Sequence, residues 1–581
     1  MLRARFLVKI FLFLFYLSFS VGIKAQFYNG HKMTFGKNRV QYNSFYWTYQ
    51  RYEKFDTYFN EYGVQLAEHV AKYANKAIPE IESDFDYTLD GRIIFIVYNK
   101  LTDFRQSNIG LVTGNTGSNI GGVITISRNK VFLYFEGDYE KFEQQIREGI
   151  AKVFVNQMLF GSDLRTNATN STIINLPEWY IDGLTAYMSD SWDIQKENVL
   201  HDNILSGKFK KFNRLTGKEA EVAGHSFWRY IGGTYGQSVI PNIIYMTKVQ
   251  KNINTGFLYT LGFKLKDLSK DWYKQNYENY SQLDSVTEAP DGDPLLKRPR
   301  KERVYQQLKV SPTGNYVAYT TNHMGKYKIW LLDTQTGKRK KIFTNEYKLE
   351  QIVDYSYPVM AWHPSGRYLV FFIEEKGGIS MYYFTFGERK LTKRYFMGFE
   401  KVLSFSFSKD GAYLAISAVK QGQSDIYIHN IAASTNYQVT NDKAEDFSPQ
   451  FIDDTYQVIF SSDRISDTME IASATDKRSP VFDFFIYDYN NPSGKLRRFS
   501  ASDFSSKRLP SFTASSRLSR LRKLRILERA FADTTKSSQT GFGLAPGAEI
   551  TSTVCPFNNW VRNGARRRSI FPATQELPRS L

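Results

Sequence analysis

The sequence predicts a multidomain chain in which an α+β domain with a helical second half precedes an all-β domain built from propeller blades. Three observations carry this. From Gln26 to about Tyr280, compact β-rich runs alternate with apolar residues at helical spacing and then give way to them. After a linker rich in proline and charge, one strand–turn–strand unit recurs, its turn glycines Gly314, Gly366 and Gly411 lying 52 and 45 residues apart. Periods of roughly 40 to 50 residues with several strands per unit are the pattern of a propeller blade. Finally, 581 residues with 42% hydrophobic content suffice for at least two domains with substantial cores.

Residues 1–25 read as a secretory signal. Arg3, Arg5 and Lys9 precede an apolar run from Ile10 to Phe19, and "VGIKA" ends at Ala25. The mature chain is expected to begin near Gln26. A membrane-spanning helix needs about 20 apolar residues. No later segment reaches that length, so no membrane span is expected after signal cleavage. No cysteine follows the cleavage point, so no lipid attachment is expected there.

The net charge of +18 suggests nucleic acid until it is located along the chain. The signal segment carries four basic residues and no acid, and residues 501–581 carry 14 basic and 5 acidic residues. The body is therefore only mildly basic, which excludes nucleic acid as the leading partner.

Residues 26–287 make up the first domain. "FDTYFNEYGVQLAEHVAKYANKAIPEIESDF", Phe55 to Phe85, has apolar residues at helical spacing, and "GRIIFIVYN", Gly91 to Asn99, is a strand after a turn-like Leu89-Asp90-Gly91. "GGVITISRNKVFLYFEG" supplies one or two further strands at a sheet edge. Then Phe142, Ile146, Ile150, Val153 and Gln157 step by three and four, the helical rhythm. "GHSFWRYIGGTYGQSVIPNIIYMTKVQ" from Gly224 and "LKDLSKDWYKQNYENYSQL" from Leu265 continue it.

Residues 288–303 are the linker and 304–500 the blades. "LKVSPTGNYVAYTTN" (Leu308 to Asn322), "MAWHPSGRYLVFFIE" (Met360 to Glu374) and "FSFSKDGAYLAISAV" (Phe405 to Val419) are three copies of one unit, and "PQFIDDTYQVIFSSD" (Pro449 to Asp463) is a weaker fourth. Each places an apolar strand, a tight turn and a second strand in succession. Beyond Ser500 the composition changes. Residues 501–581 contain 11 Arg against 3 Lys, no tyrosine, and the sole cysteine, Cys555. The tail reads as sequence out of frame, with a disordered basic extension as the alternative. The folded body then has no cysteine, hence no disulfide and no thiolate metal site.

The "SPTG", "HPSG" and "SKDG" turns, each followed by an aromatic, resemble the TolB-like (WD40-like) β-propeller, a ring of six or more blades in that family. Four visible units imply an incomplete propeller here. The first domain resembles the peptidase-MA-like, gluzincin-related domain over roughly residues 45 to 285, through "RIIFIVYNKLTDF" and the helix "LPEWYIDGLTAYM". That family binds zinc with His-Glu-x-x-His, because residues i and i+4 share one helix face. In this chain the pattern is degenerate. Arg147 stands at the first histidine, Glu148 keeps the glutamate, Ala151 replaces the second histidine, and Asp182 takes the third-ligand position. Arginine and alanine offer no metal donor. The resemblance therefore implies no metal and no cofactor, with Arg147 expected to occupy the vacated position and pair with Glu148 or Asp182. His201 and His225 are isolated and are not expected to be ligands. No Gly-x-Ser-x-Gly nucleophile elbow is present, and "GHSFW" breaks at its last position. "GLVTGNTGSNIGG" (Gly110 to Gly122) lacks a phosphate-loop lysine and reads as a loop over the cleft. "NATNST" (Asn167 to Thr172) reads as a polar loop between helices.

The expectation is a non-catalytic exported protein, periplasmic or outer-membrane-associated, binding a protein or cell-wall-associated partner. The rivals are an active metallopeptidase or other hydrolase with an unrecognised site, and an N-terminal fragment of a longer envelope protein.

Overall fold

The structure, a computed structural model, describes residues 38–109, 129–161, 176–189, 192–286, 296, 300, 303–348, 352–452, 455–465, 482–490 and 496–499. The signal-like segment, the glycine-rich Gly110–Gly122 loop, the Asn167–Thr172 loop, most of the linker and the 501–581 tail lie outside the described residues.

The N-terminal sheet has four strands in the order β1 (Thr48–Arg51), β2 (Phe55–Phe59), β3 (Ile93–Tyr98), β4 (Lys130–Tyr134), with β1 antiparallel to β2 and the rest parallel. Helix α1 (Val64–Phe85) is the crossover between β2 and β3. Phe55–Phe59 was expected to be helical and is a strand. Phe55, Tyr58 and Phe59 mimic a helical stripe, but the run is parallel to Ile93–Val97 and covered on both faces, as parallel strands are. The helix starts only after Gly63, where a Cβ would stand 2.7 Å from Asn99 Oδ1.

A helical layer follows: α2 (Leu101–Phe104), α3 (Tyr139–Phe160), α4 (Glu178–Ser189), α5 (Ile194–Leu205), a 3-10 turn (Lys208–Arg214), α6 (Gly217–Tyr235), α7 (Val239–Gln250), α8 (Ile253–Leu261) and α9 (Leu265–Val286). Asp138 caps α3 by accepting from Lys141 N at 3.1 Å. Helices α4 and α6 cross at Gly183 and Gly224, where either added Cβ would overlap the opposite backbone. Around that crossing Trp179, Tyr180, Trp228 and Trp272 are fully buried. Their polar tips are satisfied, with Trp228 Nε1 donating to Tyr180 O at 3.2 Å and Trp272 Nε1 to Ser226 Oγ at 3.0 Å.

Beyond Val304 the chain forms four antiparallel meanders of four strands each: β5–β8, β9–β12, β13–β16 and β17–β20, spanning Val304–Asn345, Val359–Phe396, Lys401–Gln438 and Asp446–Phe499. These are the four expected units. The first strands stand side by side, β5 beside β9, β9 beside β13 and β13 beside β17. The repeated turn is the same device three times. Gly314, Gly366 and Gly411 adopt φ of 75°, 69° and 75° and donate to Ser311 O, His363 O and Ser408 O at 2.9, 2.8 and 2.9 Å. In the first and third copies the serine hydroxyl also accepts from the backbone of the following aromatic, Tyr316 or Tyr413. A second device joins the middle strands: Met324-Gly325, Lys376-Gly377 and Gln421-Gly422 all have positive φ, the tight hairpin turn that matches strand twist.

Those hairpin turns meet the N-terminal unit. Lys100 Nζ donates to Gly377 O at 2.7 Å and Tyr139 Oη to Gly422 O at 2.8 Å, while Leu403 and Val419 pack beside Gly137. Buried charges are paired across the contact. Lys100 Nζ lies 2.8 Å from Glu374 Oε1, and Lys401 Nζ lies 3.2 Å from Glu136 Oε1. Glu445 accepts from the Tyr139 amide at 2.6 Å. Among the described residues no helix is long and apolar enough to cross a membrane.

Candidate functional site

Helices α1, α3 and α4 enclose a cleft of about 510 Å³. Tyr73, Lys76 and Glu80 come from α1, Glu140, Glu143, Gln144 and Arg147 from α3, and Tyr187, Met188 and Ser189 from α4. Its walls carry three carboxylates and two cations, with Glu80 paired to Arg147 at 2.8 Å. His69 Nε2 lies 2.9 Å from Glu143 Oε1. Burial pushes the Tyr73 hydroxyl upward, against the pull of the neighbouring Arg147.

The four positions singled out by the sequence, Arg147, Glu148, Ala151 and Asp182, separate into two groups. Arg147 turns toward the cleft, donating from Nη1 to Glu80 Oε2 at 2.8 Å and from Nε to Met188 O at 3.1 Å. It pairs with neither Glu148 nor Asp182, so the expected Arg147 bridge is corrected. Glu80 on α1 and the α4 carbonyl lie nearer its face of the helix. The cation beside the two acids is Lys152, which forms an ion pair with Glu148 one turn away and also acts on Asp182 and Glu221. Asp182 is half-buried, and its carboxyl is pushed up to about 6, chiefly by burial, with Lys152 opposing and Glu178, Glu221 and Glu148 reinforcing. Ala151 is wholly buried. Sequence reading passed over Lys152, although a glutamate followed four residues later by lysine on a helix is a legible pairing signal.

This donor set does not fit a zinc ion. Position 151 is a methyl group, position 147 a guanidinium committed to Glu80, and Glu148 is engaged by an ammonium. Among the described residues no three His, Cys, Asp or Glu side chains converge.

The two histidines differ. His201 lies 3.2 Å from Asp284 and 3.7 Å from Asp202, and its hydrogen bond to Asp202 leads in raising its pKa. His225 lines a second cavity, of about 320 Å³, with Trp192, Arg229, Gly232 and Gln237, and Tyr187 lines both cavities. Burial first, then Lys196 and Arg229, push the His225 imidazole down to about 3. It is neutral at ordinary pH.

No protein-family model matches the chain, and no curated protein matches it. Among solved structures it is similar to TolB from Acinetobacter baumannii, with 14% identity and a TM-score of 0.27, covering 34% of this chain and 44% of that one. A putative TolB from Agrobacterium tumefaciens gives 14% identity and a TM-score of 0.24 over 34% of this chain and 80% of that one. The β-propeller domain of the Trilobed protease from Pyrococcus furiosus gives 14% and 0.24 over 34% and 57%. The chain thus spans less than half the length of the Acinetobacter protein. Likeness at this level bears on neither activity nor partners.

Proposed function

We propose that this chain is a non-catalytic, exported binding protein of the cell envelope, whose peptidase-like cleft holds an extended polypeptide without cleaving it. The blade sheets form a second binding surface, for a protein or cell-wall-associated partner. One observation carries the reading: Glu148, where the family keeps its general base, is held by Lys152, while Arg147 and Ala151 replace the imidazoles. In this reading the helix offers neither imidazoles to hold a metal nor an unpaired carboxylate to activate water. The acid-rich walls of the cleft support a basic polypeptide as occupant. Export rests on the basic and apolar pattern of residues 1–25.

The test is binding without turnover. A fluorescent lysine-rich peptide should bind the purified mature protein saturably, and mass spectrometry after overnight incubation should recover it intact. Cleavage that increases with protein concentration would contradict the proposal.

A further inference from the structure

Among the described residues the second cavity is lined by one cation, Arg229, and by no acid. His225 on α6 is only 2% exposed, and its Nδ1 has no hydrogen-bond partner. Leaving a buried polar atom unpaired costs about 1–3 kcal/mol, so His225 is a polar group whose hydrogen bonding the fold itself does not complete. Arg229, one turn further on α6, lies with its guanidinium carbon 5.5 Å from the centre of the Trp192 ring and has no carboxylate partner among the described residues. Trp192 meets His225 edge-on at 5.0 Å. Two acids stand near Trp192: Asp193 is paired with Lys196 at 2.9 Å, and Glu197 is held by Trp192 Nε1 and, at 2.7 Å, by Tyr280 Oη. Gly232 lets Tyr187 lie directly against α6, since a Cβ there would stand 2.6 Å from Tyr187 Oη.

We infer that this cavity takes the terminal carboxylate of a polypeptide lying in the adjoining cleft. Arg229 pairs with the anion, a neutral His225 supplies a ring N–H, and Trp192 and Tyr187 form the apolar walls. Tyr187, common to both cavities, is the point where the chain would pass from one to the other. The inference rests on the polypeptide-binding reading and narrows it to ligands with a free C-terminus.

The experiment compares a fluorescent lysine-rich heptapeptide bearing a free carboxylate with its C-terminal amide, by anisotropy, on the mature protein and on Arg229→Met. Arg229 is exposed and forms no ion pair among the described residues, so the variant should keep the wild-type circular dichroism spectrum and melting temperature. The acid should bind at least about tenfold tighter than the amide, and Arg229→Met should erase that gap by weakening the acid alone. Equal binding of acid and amide to the wild type overturns the inference while leaving the cleft reading intact. Saturable binding of neither peptide overturns both. Sodium acetate binding as tightly as the peptide acid would assign the cavity to free carboxylates and also overturn the inference.

Discussion

Lys100, just past β3, and Glu374, near the end of β10, form an ion pair at 2.8 Å with side chains only 10% and 5% exposed. The pair also receives the Thr102 hydroxyl, and Lys100 makes a further bond to Gly377 O. It ties the N-terminal unit to the second blade sheet. Removing one member of such a pair strands a buried charge, which costs about 3–5 kcal/mol. Glu374→Gln and Lys100→Met should each lose stability on that scale in urea denaturation, and the double variant should lose less than the two together. A loss below about 1 kcal/mol for both single variants would show that this contact does not fasten the two units.

On the helix Tyr139–Phe160, Lys152→Met should cost more stability than Arg147→Met, by at least about 1 kcal/mol. The two pairs are equally exposed, but Arg147 gives up Glu80 alone, whereas Lys152 leaves Glu148, Asp182 and Glu221 without their neutralising charge. Equal costs in the same denaturation assay would contradict the assignment of Lys152 as the central cation.

Asp425, in β15, is held up to about 8 by burial first, then by the charges of Asp446 and Asp442, the two acids that clasp Arg464. A carboxyl raised in the fold binds more protons folded than unfolded between its unfolded value, about 4, and about 8. Stability contributed by this group is therefore present at low pH and falls as pH rises through that window. Asp103 and Asp182, each near 6, slope the same way, so the difference between variants is the informative quantity. Asp425→Asn should gain stability over wild type at pH 8 compared with pH 5, read as a melting-temperature difference that widens with pH. A difference that stays constant from pH 5 to 8 would refute this.

Gly224→Ala should destabilise the N-terminal unit by about 1–3 kcal/mol or more, because its Cβ would overlap the Trp179 carbonyl in a crossing with no slack. Gly233→Ala, on the same helix with open space around it, should change stability by less than about 0.5 kcal/mol. Similar melting temperatures for the two variants would contradict the packing described for α4 and α6.

The blades were legible because each is written locally. Ser311, His363 and Ser408 sit three residues before a glycine and five before an aromatic, and the turn they build needs nothing distant. Strand β2 was misread because its aromatics imitate a helical stripe, and the pairing with Ile93–Val97 that decides the matter lies across a crossover. That positions 147 and 151 offer no metal donor follows from the side chains of Arg147 and Ala151 themselves. Where Arg147 points could not be read in the same way, since Glu80 lies on another helix and nothing in the spacing joins them. The contact of Lys100 with Glu374 was equally hidden, because pairing between distant segments leaves no periodicity.

The proposed absence of a catalytic metal at the helix Tyr139–Phe160 can be measured as the metal content of the purified mature protein. After dialysis against zinc, inductively coupled plasma mass spectrometry should find well under one equivalent per chain, and a chelator should leave any background peptide hydrolysis unchanged. One tightly held zinc per chain, with cleavage abolished by the chelator and restored by zinc, would contradict it.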